Sequence, residues 1–480
     1  MTLPLSARPL ALCTALVASI LSGCAVGPDY KLPEAAQFNN TAAQGTFVGA
    51  KNNPTFDETQ IADRWWHLYQ SDVLDRLVTE GFAANTDLRV AEANLTRSQS
   101  LVRLAKSQGQ PQLSFGGGFE RALLSAESYL SPAENLPADN LYDIELSASY
   151  EVDLFGRIQR GVEASQADSQ SVAAARDWVR VTVAAKITRF YVQVCSDGDE
   201  LAVAHRSVDL QQQSLDLTRR LQENGRATRL DVTRSQALVN QLRAAIPVIE
   251  ARRQNALYQL AVLTGKPPSQ FDESLTSCVE VPPIASPIPV GNGASLLKRR
   301  PDVRAAERQL AAATARIGVA TADLYPRIVL RASIGSTGVT SDFLEHSTNE
   351  WSVGPFVQWQ LNQNPTRARI AAANAAQQAQ LARFDGTVLG ALRDVESAMN
   401  NYSHDLQQES TLTSARDDAA RAAQDAHELQ SEGRSGDLAT LDAERTLASS
   451  ESALAASRSR TSLDQVNLFM ALGGGWESAD

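Results

Sequence analysis

Proline is missing from two long stretches of this 480-residue chain, between Pro137 and Pro247 and everywhere after Pro365. Nothing there forbids a helix much longer than the usual three or so turns. Strongly apolar runs are also missing once the first two dozen residues are passed, and the mean hydropathy is −0.24. The five histidines (His67, His205, His346, His404 and His427) have no metal-ligand spacing, so no metal site is expected. Ser333 to Gly338 reads Ser-Ile-Gly-Ser-Thr-Gly, which lacks the Gly-x-Ser-x-Gly pattern of a nucleophile elbow. Gly116-Gly117-Gly118 lies in an alternating segment and reads as a bulge or a close-approach site, not a phosphate cradle. Basic, aromatic-rich patches are lacking and the net charge is −11, which argues against nucleic acid as a partner. No reaction chemistry is visible, and the chain reads as a protein that is not an enzyme.

The one strongly apolar run, Leu10 to Leu21, follows Arg8 and precedes Ser22-Gly23-Cys24. It is too short for a membrane span and has the layout of a secretory signal. Leu21-Ser22-Gly23-Cys24 is similar to a bacterial lipobox, which implies cleavage after residue 23 and acylation of Cys24. Ala25, in place of Asp, resembles an outer-membrane address. Cleavage would shift the net charge from −11 to −12, because Arg8 is the only charged residue removed. Cys195 and Cys278 then remain in an oxidising compartment, either as a disulfide or as buried free thiols. A helix defect expected at Ser196-Asp197-Gly198-Asp199 favours the disulfide.

The chain is also duplicated. Each copy runs helix, proline, alternating strand, loop, alternating strand, then a long helix broken by a Gly-Arg turn. The turns Leu221-Gln222-Glu223-Asn224-Gly225-Arg226 and Leu429-Gln430-Ser431-Glu432-Gly433-Arg434 are offset by 208, as are Gly265 and Gly473. Helical periodicity begins near Ser71-Asp72 and runs to about Lys106. Trp65-Trp66, just before it, read as packing residues. After Pro111 the period changes to two: Ile144, Leu146, Ala148, Tyr150 and Val152 alternate with Glu145, Ser147, Ser149, Glu151 and Asp153. The second copy repeats this from Ile328 to Ile334 and from Trp351 to Leu361. Such strands suit one lipid face and one wet face. Four of them cannot close a barrel, since the smallest membrane barrels have about eight strands, so the chain must share one with partners.

The long helices, the first from about Gly156 to Leu221, would each extend roughly 100 Å and need coiled-coil partners. Gly225 and Gly433 end them, and Asp231 and Asp437 sit where the returning helices begin. A Pro-rich connector joins the copies. The expected divisions are 1–23 (signal), 24–70 (leader), 71–265 (first repeat), 266–295 (connector), 296–473 (second repeat) and 474–480 (tail).

Four segments carry a family resemblance: Cys24-Ala25-Val26-Gly27-Pro28-Asp29-Tyr30, Asp153-Leu154-Phe155-Gly156-Arg157, Arg300-Pro301-Asp302-Val303 and Leu472-Gly473-Gly474-Gly475-Trp476. With them the chain resembles the outer-membrane factors (TolC-like channels), in their lipoprotein branch serving tripartite efflux pumps. Trp359 to Pro365 departs from the family's apolar, glycine-rich turn at that point. The resemblance implies an α+β membrane protein. It would be a homotrimer with one 12-stranded outer-membrane β-barrel, four strands per chain, above a long periplasmic α-helical barrel. It implies no cofactor beyond the diacylglycerol and palmitoyl lipid on Cys24. The implied partners are outer-membrane lipid, a periplasmic adaptor and an inner-membrane efflux transporter. The tips Gly225, Arg226, Thr228, Gly433, Arg434 and Ser435 would dock the adaptor. Leu438 and Asp442, with Arg445 as a partner, would form the periplasmic gate. The implied function is export of small toxic compounds across the outer membrane of a Gram-negative bacterium. The rival readings are a type I protein-secretion conduit and a structural periplasm-spanning lipoprotein.

Overall fold

The structure is a computed structural model that describes residues 25–123, 125, 138–284 and 287–475. Cys24 and the tail from Trp476 onward lie outside the described residues. The chain divides into two compact units, one of residues up to 33, 95–172 and 306–384, the other of 34–94, 173–305 and 385–480.

The first unit holds a four-stranded antiparallel sheet: β1 (Gln112–Ala122), β2 (Asp139–Val152), β3 (Arg327–Val339) and β4 (Asn349–Gln358), in that order. Residues alternate between its two faces. Leu113, Phe115, Leu146, Ile334, Trp351 and Val353 share one face, and each is about half or more exposed. The other face is polar. Ser114 and Ser147 hydroxyls lie 2.7 Å apart, Ser333 and Ser352 2.9 Å, and Thr337 donates to Asp143 at 2.9 Å and to Glu350 at 3.1 Å. The alternation read from sequence is therefore present, but β4 ends at Gln358, so Trp359 and Leu361 lie beyond it. Trp359 Nε1 and Gln363 Nε2 instead both donate to the Leu324 carbonyl, at 3.0 and 3.2 Å. These bonds hold the atypical segment.

Gly116-Gly117-Gly118 is not a bulge: it pairs one for one with Glu145, Ile144 and Asp143. A Cβ at Gly116 or Gly118 would meet nothing within 4 Å, so close approach does not explain them either. They simply leave the polar face bare.

The helices repeat as the duplication requires. α1 (Asp72–Ala84) and α2 (Thr86–Ser107) precede β1; α3 (Arg157–Glu223) and α4 (Arg229–Leu263) follow β2. α5 (Gly293–Arg299) and α6 (Pro301–Ala322) precede β3; α7 (Asn364–Ser431) and α8 (Asp437–Ala471) follow β4. α3 has 67 residues and α7 68, while α4 and α8 each have 35. Gly225, Gly265, Gly433 and Gly473 all take φ between 70° and 76°, which confirms the offset in backbone geometry.

Two helical expectations need correction. Residues 71–106 form two helices, because Asn85 competes with the backbone. Its side chain accepts from the N–H groups of Asp87 and Leu88 and donates to the Leu263 carbonyl at 3.0 Å. Ser196 to Asp199 is no defect, since α3 runs through it. Gly198 is instead a notch: a Cβ there would stand 2.1 Å from the Cys278 carbonyl oxygen. Cys195 and Cys278 are joined by a disulfide, with Cα atoms 4.7 Å apart.

The core of the second unit contains Trp65, Tyr69, Leu74, Ile187, Leu257 and Phe469, all 2% exposed or less. Trp65 stacks on Phe469 with centroids 4.9 Å apart, and Trp66 meets Phe82 edge-on at 5.8 Å. The connector is an irregular layer. It contains 3₁₀ turns at Pro268–Gln270 and Glu273–Ser277, and a two-residue parallel bridge of Phe56–Asp57 with Ile288–Pro289.

Candidate channel, tips and gate

Both tips are built by one device. The N–H of Gly225 bonds to the Gln222 carbonyl and that of Arg226 to Leu221; Gly433 and Arg434 repeat the pair with Gln430 and Leu429. This is the Schellman stop, in which a left-handed glycine satisfies the last helical carbonyls. A Cβ on Gly225 or Gly433 would meet nothing within 4 Å, so each tip faces open space. Arg226 is exposed, and Arg434 pairs with Glu432 at 3.1 Å.

The restarts differ. Thr228 accepts from the Asp231 N–H at 3.3 Å, and the Asp231 carboxylate accepts from the Thr228 N–H at 2.9 Å, a capping box. The Thr228 hydroxyl and, next, its N–H hold the Asp231 carboxyl below the usual aspartate range. At the second tip Gly436 occupies the cap position with no side-chain bond, and Ser435 beside it is half-buried.

Leu438, Asp442 and Arg445 line one groove of about 430 Å³ with Arg234, Leu238 and Gln241 of α4. Leu438 is 59% exposed. Asp442 and Arg445 are brought to the same groove, but among the described residues no ion pair joins them within the chain. A nearby charge was not anticipated from the sequence. Glu444 accepts from Ser214 Oγ of α3 at 2.9 Å and lies 3.0 Å from His427 Nε2 of α7. Burial raises its pKa, and the Ser214 hydroxyl and His427 counter part of that shift. Glu451, two turns on, accepts from Ser207 of α3 at 3.2 Å.

Arg160 is a second residue that sequence reasoning missed. It is 5% exposed, and its guanidinium donates to the Val26 and Gly27 carbonyls, to Asp29 at 2.7 Å and to Glu163 at 2.8 Å. The Val26 N–H bonds to the Phe155 carbonyl, and Ala25 packs on Gly156. Two of the resemblance segments thus touch. So do the other two: Arg300 donates to Asp302 at 2.7 Å and to the Ala471 carbonyl at 3.2 Å, with its side chain against Gly473. Only the order of these segments in the sequence hinted at either contact.

Comparison with known proteins decides the family. A family model described as outer membrane efflux protein matches residues 77–266 and 293–474. The chain belongs to the outer membrane efflux protein family. It is 29% identical to the toluene efflux pump outer membrane protein TtgF of Pseudomonas putida, over 95% of each chain. It is 26% identical to Nodulation protein T of Rhizobium leguminosarum bv. viciae, over 97% of this chain and 93% of that one. Among solved structures, the outer-membrane channel OprN superposes with a TM-score of 0.86 at 31% identity, covering 94% of this chain and all of that one. MtrE of Neisseria gonorrhoeae, solved in its open state, shares the fold with a TM-score of 0.80 at 23% identity. The chain is therefore an outer-membrane efflux protein with the TolC-like fold, and the tips, groove and sheet described above are parts of a channel.

Proposed function

We propose that three copies of this chain assemble one export channel, each contributing β1 to β4 to a 12-stranded barrel in the outer membrane. The observation that carries this reading is the sheet itself. One face presents exposed apolar side chains such as Phe115, Ile334, Trp351 and Val353, and β1 and β4 are open edges. In lipid an unpaired edge costs several kcal/mol for each unsatisfied backbone group, so the edges must pair with further copies. Four strands from each of three chains then close the barrel.

In this reading Cys24 carries the lipid anchor, and the paired long helices form the periplasmic tunnel. Leu438 and Asp442 of three chains narrow its lower end, with Arg445 beside them. Three carboxylates in a narrow ring favour cations over anions. The tips around Gly225 and Gly433, with Arg226, Thr228, Arg434 and Ser435, receive a periplasmic adaptor, which favours a splayed state over the closed ring. An inner-membrane pump supplies the substrates, which are small toxic compounds such as drugs, dyes and detergents. The chain carries out no reaction of its own.

The test is a deletion strain challenged with dyes, detergents, antibiotics and metal salts, with culture supernatants examined for lost proteins. Sensitisation rescued by the wild type, but not by Cys24→Ala, is the expected result. Unchanged sensitivity together with a protein lost from the supernatant would replace this reading with protein secretion.

A further inference from the structure

The export reading leaves several cavities of the second unit unused, and one of them has a lining that points to a ligand. It measures about 510 Å³, within the range of sites that hold drug-sized molecules. The connector from Val279 to Ile284 forms one wall, and α3, α7 and α8 form the others.

Three features of its lining point to an occupant. First, Ser196 lines the cavity and is only 5% exposed, yet its Oγ has no hydrogen-bond partner among the described residues. A buried hydroxyl left unpaired is costly, and an occupant with a polar atom relieves that cost. Second, Val281, Pro283, Ile284 and Leu406 supply apolar surface, and the Tyr402 ring stands beside them. The Tyr402 hydroxyl already accepts from Gln465 Nε2 at 3.3 Å, so Tyr402 offers its ring more than its oxygen. Third, the charged residues in the lining are Asp199, Glu280, Glu409 and Arg458. Arg458 lies 3.8 Å from Glu409, which leaves the Asp199 and Glu280 carboxylates without a cation in the lining.

We propose that this cavity binds an amphiphilic organic cation, its charge facing Asp199 and Glu280, its hydrocarbon body against the connector and Leu406, and a polar atom at Ser196. The Tyr402 ring adds the attraction of an aromatic face for a cation. An anion meets two uncompensated carboxylates and is rejected, while a plain hydrocarbon leaves both the carboxylates and Ser196 unanswered. The site is separate from the tips and from the Leu438–Asp442 groove, and the inference does not rest on the export reading.

The test uses the full chain purified in detergent and titrated with the cationic dye rhodamine 6G, followed by fluorescence anisotropy. Fluorescein, an anion on the same ring framework, is the counter-probe. The expected result is saturable binding of one rhodamine per chain, with fluorescein at least tenfold weaker. Glu280→Gln and Asp199→Asn should each weaken rhodamine about three- to tenfold, more at low salt than at high. Leu406→Trp, which fills the cavity, should abolish binding. Glu280 is exposed, so its variant tests the charge without endangering the fold. Equal affinity for the two dyes overturns the proposal, as does unaltered rhodamine affinity in Glu280→Gln and Asp199→Asn, even if Leu406→Trp fails to bind. Because binding is read on the isolated protein, a negative export assay would leave the result standing.

Discussion

At Gly225 and at Gly433 the chain leaves a long helix through the same two hydrogen bonds, yet it enters the next helix on different terms. The first tip restarts on a reciprocal box between Thr228 and Asp231; the second restarts on Gly436, whose carbonyl accepts from the Ala439 N–H but which has no side chain to cap the helix. Side-chain caps contribute about 1 kcal/mol. The first hairpin is also tied across by Arg219 to Gln236 at 2.6 Å and Arg243 to Gln212 at 2.9 Å. The second hairpin has ties of its own, from Thr440 to the Ala426 carbonyl at 3.3 Å, Arg460 to Gln408 at 2.9 Å and His427 to the half-buried Glu444 at 3.0 Å, so the difference lies at the restart. Duplication supplied two copies of one part, and the copy bearing the proposed gate residues lacks the side-chain cap at its start. A gate of the proposed kind would be expected where the local structure opens most readily.

The largest effect should come from blocking the tips. Gly225→Trp or Gly433→Trp should reduce drug resistance to the level of the deletion strain while the proposed trimer remains intact on native gels. The space at both Cβ positions is open, so the cost within the fold is limited to placing a side chain at positive φ, about 1–2 kcal/mol. Normal export in both variants would remove the docking assignment; loss at only one would show which tip the adaptor reads.

A smaller, severalfold effect is expected at the gate. Asp442→Ala should raise conductance in planar bilayers and weaken cation preference, whereas Asp231→Ala, in the first turn of α4, should leave conductance unchanged. Equal behaviour of the two variants would contradict the asymmetry.

The two hairpins should also respond oppositely to acid. Asp231 has a depressed folded pKa, so its contribution is present above the ordinary aspartate value of 3.8 and is lost as pH falls through the depressed one. Glu444 has a raised folded pKa. As pH falls through that value the folded state takes up a proton before the unfolded chain does, so stability rises until about pH 4.5, the group's ordinary value. Amides where α7 and α8 pack should therefore show larger protection factors, with the intrinsic pH dependence of exchange divided out, in mild acid than at neutral pH. Glu444→Gln should flatten that difference, and a difference that survives the substitution would assign it elsewhere.

The smallest effect concerns the caps. Thr228→Ala should cost the first restart about 1 kcal/mol and speed exchange at residues 229–232. Gly436→Asn should gain the second a few tenths of a kcal/mol, with lower resting conductance. An unchanged exchange rate in Thr228→Ala would mean that packing, not the box, holds that end.

The periodic features of this fold could be read directly from the sequence. Glycine offsets of 208, alternation in β2 and β3 and the proline-free helices are local or repeating signals, and all reappear in the structure. Competition at single residues was harder to see. Asn85 breaks one expected helix because its amide outbids the backbone, and α3 passes through Ser196 to Asp199 because Gly198 is needed for closeness to the connector, not for a turn. Contacts between distant segments gave almost no signal beyond the order of the segments themselves. Arg160 reads as an ordinary helical arginine until Val26, Gly27 and Asp29, more than 130 residues earlier, are seen around it.

That grip has a consequence for how the protein is mounted. Ala25 is pressed on Gly156, and the next backbone groups are pinned by Phe155 and Arg160. A lipid on residue 24 would hang from a chain with no slack, since adjacent Cα atoms are about 3.8 Å apart. Such a tether acts less as a leash than as a depth gauge: the acyl chains and the sheet would have to enter the bilayer at one fixed relative height. Inserting a few residues between Cys24 and Gly27 would keep the anchor and remove the calibration.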